Sequence, residues 1–221
     1  FSIKYFNFKF SLNHLKKILT TGAPAIPKNA LGKANKNIIP YLLSIFTSIE
    51  VLGVYNRSSI LNPQFQYLWQ SIRRLVSPEY LNYEDNNFKI FNQITNSWLM
   101  FSTFSIVIIS FFYSDFLVFL GVEEEFLIIS YFTPILLLKV AIDGINLFPN
   151  LHIVMNKRVD LDLYIQVFLL ASITIFSIWL IPKYDLAGGL IALSFSYLLS
   201  SALKHHVAKK IGYLGNFSTF F

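Results

Sequence analysis

Cysteine is absent from the 221 residues, which excludes a disulfide framework, thiolate chemistry and any metal site built on sulfur. Charge is scarce as well: 14% of the residues are charged, against about 25% in ordinary soluble domains. The alternation of apolar and polar residues that marks a half-buried strand does not occur, so the elements are expected to be helices. No nucleophile stands with a base, and neither a phosphate-binding loop nor a dinucleotide turn is present. Bond-breaking catalysis, ATP hydrolysis and a bound cofactor or metal are therefore not expected. The chain begins at Phe1 without a charged-then-apolar leader, and it reads as a portion of something longer.

What is abundant is apolar surface. Hydrophobic residues make up 54% of the chain, 23 of them Phe, and residues 90–114, 163–182 and 186–203 carry no charge. Each is long enough, or nearly so, for a hydrocarbon core that needs about 20 apolar residues. In lipid every backbone group must be satisfied internally, which favours helices. The expected fold is all-α, a polytopic membrane bundle of about six helices, either one half of a two-bundle transporter or a freestanding six-helix protein. The helices are expected over 12–49, bent near Pro24 and Pro27; 51–76, containing Pro63; 88–120; 125–155, interrupted by Pro134 and Pro149; 160–181; and 186–211. Residues 1–11 form a connecting segment and 212–221 a tail.

Charge fixes an expected orientation. Lys4, Lys9, Lys16 and Lys17 precede the first helix; Arg73, Arg74 and Lys89 flank the second connection; Lys157 and Arg158 lie in the fourth; Lys204, Lys209 and Lys210 end the sixth helix. The alternate connections hold Asp115, Glu123, Glu124 and Glu125, then Lys183 beside Asp185. An excess of Lys and Arg marks the cytoplasmic side, so both termini are expected there. Basic residues sorted by membrane side do not form a nucleic-acid footprint, and nucleic acid is not an expected partner. The lipid bilayer is.

Five cations, Lys28, Lys33, Lys36, Arg57 and Lys139, lie within or beside apolar stretches, where a charge at the bilayer centre costs at least about 2.5 to 3.5 kcal/mol. On a helical wheel Lys28, Asn29, Gly32, Lys33, Lys36, Asn37 and Pro40 share one half of the first helix. That half either lines an anion-accepting cavity, the Lys residues acting as mobile point charges suited to phosphate, or lets Lys33 and Lys36 snorkel to the interface. Arg57 has the fork geometry that grips phosphate oxygens bidentately, or it pairs with Glu50. Lys139 and Asp143, four residues apart, share a helix face, as a neutralising pair or a switchable one. Among the histidines, His205 and His206 belong to a basic cluster at the cytoplasmic end, and His152 is expected to be packed.

Two segments carry a resemblance. Residues 181–199, IPKYDLAGGLIALSFSYLL, and residues 12–57, with LKKILTTGAPAIP followed by EVLGVYN, resemble the polysaccharide flippases of the multidrug/oligosaccharidyl-lipid/polysaccharide exporter superfamily. Gly22, Pro24, Gly53, Tyr55, Pro182, Lys183, Tyr184 and Gly188 match the pattern; Asn37 stands where an acidic residue is common, and Asp185 where a Gly is usual. The likeness covers nearly the whole chain and implies the C-terminal half of a transporter, with a missing N-terminal half as partner. It also implies a substrate: undecaprenyl-pyrophosphate-linked oligosaccharide, moved from the cytoplasmic to the periplasmic leaflet of the bacterial inner membrane by alternating access. Lys28, Lys33, Lys36 and Arg57 are then the expected headgroup contacts, with Lys139 and Asp143 as a charge pair or coupling element. A cation-coupled multidrug exporter and a non-transporting structural subunit are the alternatives.

Overall fold

The computed structural model describes residues 25–82, 88–156 and 158–213. The connecting segment 1–11, the expected helix start at 12–24, Lys157 and the tail from 214 lie outside the described residues. The described residues are helical throughout, apart from short connections. The elements are α1 (Ala25–Phe46), α2 (Ile49–Ser58), α3 (Asn62–Asn82), α4 (Phe88–Phe119), α5 (Ile128–Ile145), α6 (Leu147–Met155) and α7 (Val159–Lys210), with one 3-10 turn at Glu124–Phe126. Three helices are long and apolar enough to cross a membrane: Ile90–Phe119 within α4, Ile128–Ile145 and Val159–Lys210. The chain is a membrane protein by this measure.

Two expected helices are each divided. The run expected over 51–76 stops at Ser58 and restarts at Asn62, because Pro63 has no N–H to give and sits at no cost in a helix's first turn. The run expected over 125–155 divides at Asn146, and Pro149 falls in the first turn of α6 for the same reason. Pro40 and Pro134 remain inside α1 and α5.

The opposite occurs at the end of the chain. The two helices expected over 160–181 and 186–211 form one run, α7, interrupted at the single residue Asp185 with φ 46° and ψ −127°. The limbs on either side fold back on each other, since the Phe176 and Phe195 rings, nine and ten residues from the break, meet edge-on at 5.1 Å. Each limb is about 25 residues, or about 38 Å at 1.5 Å per residue, ample for a hydrocarbon core of about 30 Å. Gly188 makes the fold-back feasible, as a Cβ there would overlap the Leu180 carbonyl. Asp185 pays a conformational penalty for the same corner, because a positive φ costs a non-glycine residue of order 1 kcal/mol or more. Asp185→Gly is accordingly expected to raise the midpoint of thermal unfolding in detergent; an unchanged or lower midpoint would show that the corner is not strained.

Contacts fix the register. Lys28 meets Asp162, and Asn35 donates to Gln166 Oε1 at 2.8 Å, so α1 runs parallel to the first limb of α7. Ser201 donates to Asn146 Oδ1 at 2.8 Å, which aligns α5 and α6 with the second limb. Trp69 stacks on Trp98 with centroids 4.5 Å apart, and Phe65 lies 6.2 Å from Phe101, so α3 and α4 are antiparallel. Burial concentrates in two clusters. One joins α1, α2, α5 and α7 around Leu43, Leu136, Ile173 and Ile181; the other joins α3 to α7 around Trp69, Trp98, Phe148 and Ile153. Outside them, α4 exposes Phe104, Phe111, Phe112 and Phe119, as a lipid-facing helix does.

His152 ties the ends of three helices together. Its Nε2 is 3.2 Å from the Ile211 carbonyl, and its Nδ1 is 3.2 Å from the Tyr80 hydroxyl. A carbonyl only accepts, so Nε2 carries the proton and Nδ1 accepts from Tyr80. Burial pushes the Tyr80 phenol up to about 12, which keeps that donor protonated.

Candidate functional site: a cationic cleft between the two clusters

Between the two apolar clusters lies a cleft of about 400 Å³. Its walls follow from helical spacing, residues three, four and seven apart falling on one face. α1 supplies Lys28, Asn29, Gly32, Asn35 and Lys36; α3 supplies Gln66, Trp69, Gln70 and Arg73. α5 brings Lys139 and Asp143, and Asn146 with Asn150 of α6 continues the stripe. The first limb of α7 adds Asp162 and Gln166, and the second adds Tyr197, Ser200 and Lys204. Six helical segments thus bring polar side chains to the cleft.

The electrostatics are lopsided. Five basic side chains, Lys28, Lys36, Arg73, Lys139 and Lys204, face two carboxylates, Asp143 and Asp162, a net of three positive charges. Lys28 is in ion-pair contact with Asp162, whose side chain is wholly buried while that of Lys28 stays 26% exposed. Lys139 is not in ion-pair contact with Asp143; among the described residues the ion pairs within 4.0 Å are Lys28–Asp162 and Arg158–Asp160. Its ammonium lies 5.0 Å above the Tyr197 ring, a cation–π geometry. Lys36, Arg73, Lys139 and Lys204 make no ion pair within 4.0 Å among the described residues and face the cleft.

The remaining lining is rich in carboxamides, each of which donates and accepts hydrogen bonds. Asn35 Oδ1 and Asn150 Oδ1 are buried acceptors without a hydrogen-bond partner among the described residues, although Asn35 Nδ2 is engaged by Gln166. A cleft so equipped can hold a multiply charged anion at its cations and a hydroxyl-rich group at its amides.

Of the residues singled out in the sequence, the structure brings Lys28, Lys36, Lys139 and Asp143 to the cleft. Lys33 and Arg57 are not among its lining residues. Lys33 is exposed on α1, and the Arg57 guanidinium lies 4.1 Å over the Phe126 ring, stacked on the turn before α5 and not paired with Glu50. Arg73, Lys204 and Asp162 line the cleft without having been expected there. Counting cations by connection had set Arg73 and Lys204 among the interfacial charges; the signal that places them is helical phase, Gln66, Gln70 and Arg73 at i, i+4 and i+7, and Tyr197, Ser200 and Lys204 at i, i+3 and i+7.

Comparison of the chain with known protein families, with characterised proteins and with solved structures finds no match.

Proposed function

We propose that the chain is the C-terminal six-helix half of a flippase that carries undecaprenyl-pyrophosphate-linked oligosaccharide units from the cytoplasmic to the periplasmic leaflet of a bacterial inner membrane, by alternating access, for surface polysaccharide synthesis. Both described ends then lie on the cytoplasmic side. The observation that carries this reading is the net-positive cleft in an otherwise apolar helical protein. Charges at membrane depth are expensive and usually mark a pathway; Lys and Arg around a cavity match phosphate oxygens, and the amides beside them match sugar hydroxyls. Asp185 lends a second support: it stands where the resembled pattern has Gly, and its φ of 46° is a glycine conformation. A cleft with five cations and two carboxylates disfavours cationic drugs, and a purely structural subunit would have no use for it.

The test replaces Lys36, Arg73 and Lys204 together with Gln in the full-length protein. Charge-assisted hydrogen bonds contribute about 1.5 to 3 kcal/mol each, so surface polysaccharide is expected to fall at least tenfold at unchanged protein level. Lys33→Gln with Arg57→Gln, both outside the cleft, is expected to export normally. Unchanged export by the triple variant, or equal loss in both sets, would overturn the assignment.

A further inference from the structure

The cluster Lys204, His205, His206, Lys209 and Lys210 is not one patch. Lys204 turns into the central cleft, whereas His206 and Lys209 are exposed on another side of α7. There they end a second groove, of about 410 Å³, between the C-terminal half of α5 and the second limb of α7. Ile142, Leu198 and Ala202 form its deep, apolar end; His205, His206 and Lys209 form its polar end. Leu198, Ala202, His206 and Lys209 are spaced by four, four and three residues and make one stripe along the helix. From Leu198 to Lys209 this stripe rises about 16 Å at 1.5 Å per residue, close to the depth of one leaflet of a hydrocarbon core about 30 Å thick.

The stripe thus changes from apolar to cationic over the length of a single acyl chain, ending on the side where the basic connections lie. The apolar groove between α3 and α4, lined by Leu68, Ile72, Ile90 and Phe101, has no cation among its lining residues and would hold no anionic lipid in preference to another. A concave groove with a cation at the headgroup level does both: it seats a chain and attracts a phosphate. We infer that this groove is a specific binding site for an anionic phospholipid of the basic-side leaflet, with an acyl chain along Ile142, Leu198 and Ala202 and the headgroup phosphate at Lys209 and His206. The inference rests on the membrane assignment but not on the cargo, because none of these residues lines the central cleft.

The experiment equilibrates the full chain in phosphatidylcholine vesicles containing graded phosphatidylglycerol, extracts it gently and counts retained lipids by native mass spectrometry. One phosphatidylglycerol is expected to be retained in preference to phosphatidylcholine. Lys209→Gln should reduce that preference about fivefold, the effect of removing one interfacial cation, while Lys33→Gln leaves it intact. Ala202→Phe, which fills the apolar end, should abolish retention of both lipids; should that variant not fold, shielding of the groove residues is read instead by cysteine labelling at Leu198→Cys with and without phosphatidylglycerol, where protection is expected. Equal retention of the two lipids, a Lys209→Gln preference like that of the parent, or occlusion of the groove by a second copy or by the C-terminal residues would each overturn the proposal.

Discussion

Lys28→Met is expected to destabilise the protein more than Asp162→Asn, although both remove the same ion pair. Asp162 has no exposed side-chain surface, and Lys28 keeps 26% of its own. Without Lys28, a buried carboxylate is left with only the first turn of α7, where its charge suits the helix dipole, and the more distant Lys204 to compensate it. Without Asp162, the lysine swings into the wet cleft. Breaking a fully buried pair costs about 3 to 5 kcal/mol; partial exposure of Lys28 places Lys28→Met at the lower end of that range and Asp162→Asn below it. The pair Lys28→Met with Asp162→Leu should recover most of the loss, as apolar replacements of buried pairs often do. Thermal unfolding of the four proteins in one detergent reads all of this, and equal midpoints for the two single variants would refute the asymmetry.

The same pair sets the charge that the cleft offers. Asp162→Asn raises the net from three positive charges to four and frees Lys28, so inorganic pyrophosphate measured by calorimetry should bind several-fold more tightly than to the parent. Lys28→Met lowers the net to two and should weaken binding. If the chain transports its ligand as proposed, the cargo must also be released, and the tighter variant is expected to export more slowly at saturation. On that proposal Asp162 would be an internal competitor, holding Lys28 until an anion of greater charge displaces it.

Much of this was legible in the sequence, and the rest was hidden for identifiable reasons. Apolar runs located α4 within a residue at either end and both limbs of α7, because a membrane-length run of Phe, Ile and Leu has no other stable form. The corner at Asp185 was legible as a boundary but not as a one-residue turn, since its tightness depends on Gly188 meeting the Leu180 carbonyl, a contact between residues whose approach sequence alone does not give. Pro63 was read as contained within a helix, and Pro134 and Pro149 as interruptions of one, whereas Pro63 and Pro149 stand in first turns and Pro134 lies inside α5. In the cleft, Lys28 and Lys36 were legible by phase on α1. Lys33 shares their half of an idealised wheel, but the buried side of α1 is centred on Asn35, Ile39 and Leu42, which turns Lys33 away. Arg57 looked suited to phosphate by chemistry alone; its stacking on Phe126 depends on tertiary packing. Asp162 was invisible as a partner because 134 positions of chain separate it from Lys28.

Gly144→Ala is expected to be among the most damaging single-methyl changes in the molecule. A Cβ at Gly144 would overlap Nε1 and Cδ1 of Trp98, and Trp98 has little room to yield: it is 3% exposed and stacked on Trp69 with centroids 4.5 Å apart. Overpacking a filled core costs about 1 to 3 kcal/mol, and losing an aromatic pair adds about 0.5 to 1.5 kcal/mol, so a loss of about 2 to 4 kcal/mol is expected. The consequence extends to the cleft, because Trp69 lines it and Gly144 directly follows Asp143. Displacing the indole pair shifts the α3 wall that carries Gln70 and Arg73. The indole N–H has no hydrogen-bond partner among the described residues, so shortening Trp98 sacrifices packing but no hydrogen bond among them. Trp98→Leu should therefore relieve the overlap, and the double variant should be more stable than the sum of the single costs. Thermal unfolding of both singles and the double closes that cycle; strictly additive losses would mean that Gly144 is not where α5 makes room for α4.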